Sequence, residues 1–208
     1  MDHENCDFSP LQEHFKKELD NISNEINIGL KNLEVDNFCI LGKLATIKEQ
    51  FEKAEAMAAS FYLNCYLSPF TDKYIDISNA FQHLSIQRHG ALIVIERQIQ
   101  LDSLIRPGTP IGAKLSHSLL ESIFYPGNPL HDGAVLVRSN QIFSASNVLP
   151  LSGIVVGEKK LGTRHRAALG LSEKSDALVL VVSEETGRVS FAMGGELHPI
   201  ITTSSLLV

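Results

Sequence analysis

The stretch Gly162-Thr163-Arg164-His165-Arg166 puts three potential cations side by side, just before an apolar run that ends at Gly170. At a helix start this is unfavourable twice over: the like charges repel, and the N-terminal end of the helix dipole is itself positive. An anion would offset both effects. With Thr163 as a cap, the unpaired N–H groups of the first turn and the forked guanidiniums of Arg164 and Arg166 would converge, and His165 could add a donor. So many donors suit phosphate oxygens better than a single carboxylate. The same spacing also fits a solvated helix start that carries surface arginines.

A second group is His131-Asp132-Gly133. Asp132 stands where a strand begins, so its carboxylate could take a proton from a hydroxyl or hold a metal that His131 shares. Gly133 would let a ligand come close to the backbone. Asp-Gly is equally a common turn dipeptide. Ser183, Glu184 and Glu185 follow a buried strand and could bind polar groups or form a polar hairpin turn. Leu149 could flank an aromatic base or pack in a core. Two phosphate cradles are excluded. Gly157 to Thr163 has the glycine spacing of a P-loop but lacks its lysine, and no G-x-G-x-x-G occurs.

Positioning these groups requires a sheet. From about residue 70, helical patterns alternate with strand patterns. "ISNAFQHLSIQRH", "LLESIF" and "RHRAALGLSEKS" read as helices, and "GALIVIE" as a buried strand. Two hairpins are expected, one turning at Ser139-Asn140 and one at "EETG". The fold class is therefore α/β: a mixed central β-sheet flanked by helices. Before it, apolar residues recur at Leu11, Phe15, Leu19, Ile22, Ile26, Leu30 and Leu33, a helical stripe opened by Ser9-Pro10. A break near Val35 to Asn37 separates it from a second stripe, Leu44 to Cys65, which Ser68-Pro69 ends. The division is an N-terminal two-helix segment, residues 1–66, and a domain built on the sheet, residues 67–208. Two helices cannot bury both stripes, so their apolar faces should pack on the next domain or on another subunit.

Of the 208 residues, 24 are acidic and 18 basic. Residues 1–60 hold twelve acidic and six basic side chains, and the remainder is balanced. That argues against a nucleic-acid partner and leaves room for a local basic site. The three cysteines are odd in number and form no C-x-x-C pair, so neither a disulfide framework nor a zinc site is expected. Apolar runs are strand-length, which predicts no membrane span, and the acidic N-terminus is not a signal peptide. A cytoplasmic location is the expectation.

Taken in order, "GALIVIER" (90–97), "LHDGAVLV" (130–137), "LPLS" (149–152), "GTRHRAALG" (162–170) and "VSEETG" (182–187) closely resemble the diadenylate cyclase domain, over roughly residues 70 to 205. The two leading helices resemble the sporulation-associated form of that family. The resemblance implies condensation of two ATP into cyclic di-AMP with release of two pyrophosphates, using Mg²⁺ or Mn²⁺. It implies that Asp132 assists deprotonation of a ribose 3′-hydroxyl, and that His131 and Asp132 meet the metal. Thr163, Arg164, His165 and Arg166 would hold the triphosphate. Gly133, Ala134, Leu149, Gly162, Ser183, Glu184 and Glu185 would line the nucleotide site. It further implies a homo-oligomer: two catalytic domains face to face for activity, a hexamer at rest, and N-terminal helices that restrain turnover. A nucleotide-binding sensor without turnover is the alternative, and the presence of Asp132 favours the enzyme.

Overall fold

A computed structural model of the chain describes residues 9–33, 39–153 and 161–200. The break expected near Val35 to Asn37 and most of the Gly157–Thr163 segment lie outside them. Seven strands form one sheet in the order β2-β4-β3-β1-β5-β6-β7. They are β1 (Ala91–Ile95), β2 (Thr109–Lys114), β3 (Ala134–Arg138), β4 (Gln141–Asn147), β5 (Leu178–Val182), β6 (Val189–Met193) and β7 (Glu196–Ile200). Only β1 and β3 run parallel; every other neighbouring pair is antiparallel.

The central strands are apolar throughout because both of their faces are covered. Ala91, Ile93 and Ile95 of β1 point into a core completed by α2 (Ile40–Leu67), α3 (Tyr74–Gln87) and α4 (His117–Ile123). Leu92 and Val94 point the other way, into a core completed by α5 (Thr163–Ser172). The α/β class and both hairpins are as expected. Two strands were not foreseen, β2 "TPIGAK" and β7 "ELHPI". They are the sheet edges, and each carries a proline that would interrupt a central ladder.

The leading segment is two helices, α1 (Ser9–Lys31) and α2, with ion pairs Lys43–Glu25 and Lys53–Glu18 between them. Of the first stripe, Ile22 is buried, while Leu19, Ile26, Leu30 and Leu33 remain 43, 44, 61 and 53 % exposed. The second half of α2 behaves differently. Ala59, Leu63 and Leu67 belong to the same core as β1 and β5. Cys39, which precedes α2, is free and exposed.

Candidate active site

Strand polarity decides where the chemistry gathers. The starts of β1, β3 and β6 and the ends of β4, β5 and β7 all lie at one end of the sheet, beside the N-terminus of α5. Between them opens a cavity of about 1010 Å³. It brings together Asp132, Gly133, Leu149, Gly162, Thr163, Arg164, His165, Ser183, Glu184 and Glu185. His131, Ala134 and Arg166 are not among its lining. Ala134 is fully buried in β3, and His131 donates Nδ1–H to the Asn128 carbonyl at 2.5 Å.

The crowded turn resolves its own charge. Arg164 Nη1 donates to Glu184 Oε2 at 2.6 Å. His165 is pushed below its ordinary value, chiefly by burial and further by Arg164, against an upward pull from Glu185. It is therefore a neutral imidazole at pH 7. Arg166 turns to the carbonyl of Ser152 at 3.2 Å. The cap is corrected too: Gly162, not Thr163, is the N-cap of α5, and no side chain caps it. The first-turn N–H groups thus stay open beside the cavity. Ser183 Oγ accepts from Thr186 N at 3.3 Å within the turn, and the residue also lines the cavity. Leu149 likewise is a core residue, 6 % exposed, with a face on the cavity.

With this geometry in hand, the chain can be set beside known proteins. A family profile described as "DisA bacterial checkpoint controller nucleotide-binding" matches residues 78–197. A second, "Diadenylate cyclase CdaS, N-terminal", matches residues 2–70. Diadenylate cyclase CdaS of Bacillus thuringiensis is 54% identical over 85% of this chain and 88% of its own length. Cyclic di-AMP synthase CdaS of Bacillus subtilis is 50% identical over 88% of each chain. The chain belongs to the diadenylate cyclase family. A crystal structure titled as a hypothetical membrane spanning protein from Bacillus cereus has the same fold, with a TM-score of 0.77 and 50% identity over 93% of this chain and 95% of that one. Among the described residues of this chain, no helix is long and apolar enough to cross a membrane.

In this diadenylate cyclase, Gly90, Asn147 and Ser85 support the cavity without having been foreseen, and Gly133, which was foreseen, has a second role. Gly90 precedes β1, and a Cβ there would lie 2.4 Å from Arg164 Nη1, so glycine leaves the space the guanidinium occupies. Gly133 has φ +105, and its Cβ would meet the Asn147 carbonyl oxygen at 2.8 Å. Its freedom therefore serves the packing of β3 on β4 as well as the cavity. Asn147 is 1 % exposed; its Nδ2 donates to the Ala134 carbonyl at 2.8 Å, and its Oδ1 accepts from Gly108 N at 3.0 Å and Ser144 Oγ at 2.9 Å. It locks the segment that carries Asp132. Ser85 of α3 donates to the Gly187 carbonyl at 2.6 Å and so pins the turn that carries Glu184 and Glu185.

The charge on the cavity wall is informative. Among the described residues, the wall carries Asp132, Glu184 and Glu185 beside two guanidiniums, Arg164 and the unforeseen Arg188. Among the described residues, no group of three His, Cys, Asp or Glu could hold a metal by itself. Asp132, on the cavity wall, is an oxygen donor of the kind a hard divalent ion takes, while the neighbouring His131 has its Nδ1 engaged by the Asn128 carbonyl.

Proposed function

We propose that this cavity binds one ATP and that the chain condenses two ATP into cyclic di-AMP. The observation that carries the reading is that Asp132, Thr163, Arg164 and His165 share one nucleotide-sized cavity in a chain of this family. Each ribose 3′-oxygen forms a bond to the α-phosphorus of the other ATP, and the bond from that phosphorus to the bridging oxygen breaks, releasing pyrophosphate. The proton of the 3′-hydroxyl passes to Asp132. The open N–H groups of α5, with Arg164, hold the phosphates, and neutral His165 donates a further hydrogen bond. Such transfers depend mainly on positioning and charge neutralisation. Arg166 acts indirectly, through the loop it holds at Ser152. Mg²⁺ or Mn²⁺, held by His131 and Asp132 together with the phosphates, would neutralise part of the phosphate charge.

One cavity carries one Asp132, so both ring closures need two cavities facing one another. A two-fold dimer of catalytic domains is therefore the active unit. The half-exposed stripes of α1 and α2 support assembly into a larger resting oligomer, proposed as a hexamer, that limits this pairing. The proposed location is the cytoplasm, where ATP is supplied. Incubating the full chain with ATP and Mn²⁺ and identifying the product by mass spectrometry tests the reading. Cyclic di-AMP is expected, and Asp132→Asn should lower its rate by at least roughly 100-fold while ATP still binds. Binding without product from the unaltered chain would make the protein a sensor.

A further inference from the structure

Glu184 occupies Arg164 in a way that ATP must undo. The pair spans 2.6 Å, and its two ends differ: the Arg164 side chain is 25% exposed and that of Glu184 67%. The arginine is the fixed partner. Gly90 lies against its guanidinium, and α5 roots its backbone. The glutamate head is wet and can swing out at small cost. Its backbone cannot drift, because Ser85 Oγ donates to the Gly187 carbonyl and Gly187 N donates to the Ser183 carbonyl at 2.8 Å. The carboxyl itself is held below the ordinary range by its hydrogen bond from Arg164 and by that guanidinium's charge.

We propose that Glu184 is a resident competitor for the phosphate site, displaced by a polyphosphate and restored when that anion leaves, so that it makes Arg164 select ligands by charge. The proposal rests on the ATP reading of the cavity. A triphosphate offers several charged oxygens and can outcompete one carboxylate. A phosphodiester offers a single charge, and an uncharged nucleoside offers none. Once ring closure is complete and pyrophosphate has left, each cavity holds only one phosphodiester, against which Glu184 regains Arg164. An exposed pair of this kind corresponds to an effect of a few-fold, which suits a selector better than a lock.

Glu184→Gln in the full chain isolates the charge, because the amide oxygen still accepts from Arg164. Calorimetric titrations without divalent metal, so that no turnover intervenes, would use ATP, inorganic triphosphate and adenosine. The variant is expected to bind ATP and triphosphate about three- to ten-fold tighter, an advantage that shrinks as salt rises, and to bind adenosine as the unaltered chain does. Equal or weaker triphosphate binding by the variant overturns the proposal, as does an equal gain for adenosine. The cyclase reading is judged separately by the product assay on the unaltered chain, so failure of one does not mimic failure of the other.

Discussion

Three adjacent side chains in one helical turn meet three different environments: Arg164 a carboxylate, His165 a desolvated wall, Arg166 a backbone carbonyl. The imidazole has a consequence for stability. Unfolded, it takes up its proton near the ordinary value of 6.5; folded, burial holds that value lower. Between the two values the unfolded chain binds a proton that the native chain does not. The contribution of His165 to stability is therefore present above about pH 6.5 and is lost as pH falls through the folded value. In ligand-free protein, the drop in urea midpoint between pH 7.5 and 5.5 should be smaller in His165→Gln than in the unaltered chain. An equal drop in both would mean that the imidazole titrates alike in the two states.

Among elements, the pairing of β3 with β4 sets the aim of Asp132, and Asn147 is its buried fastener. Asn147→Ala leaves the buried Ala134 carbonyl and the half-buried Gly108 N–H without their side-chain partner. A loss of about 2–4 kcal/mol in urea unfolding is expected, with weaker ATP binding as the start of β3 loosens. The fold and the site were unequally legible. The five-residue apolar runs of β1 and β5 announced a sheet covered on both faces, and "HDG" and "GTRHR" announced polar groups at its end. Gly90 gave no such signal, because its purpose exists only once Arg164, remote in sequence, folds against it. Asn147 was equally silent, since a lone asparagine at a strand end reads as turn chemistry. β2 and β7 were missed because edge strands tolerate the prolines that normally argue against a strand. Arg188 was passed over because an arginine that follows a glycine turn reads as an ordinary surface residue.

Taken whole, the chain is bound together by one long helix. α2 begins among half-exposed apolar residues, Leu41 and Leu44 at 76 and 54 %, and ends inside the sheet's core at Leu67. A truncation that tests the restraint must spare its buried half, from Ala54 onward. Removal of residues 1–48 should raise product formation per chain by about five-fold or more and lower the mass measured by light scattering. A folded truncation with unchanged or lower turnover would remove restraint as the role of these helices. The sheet has a second consequence. Every loop that lines the cavity leaves from one rim, and the β6–β7 hairpin tip at Gly194 and Gly195 sits on the other. Dyes, tethers or fusion partners grafted at that tip would ride the enzyme without shadowing its chemistry, and would give a handle for watching assembly and turnover in the same molecule.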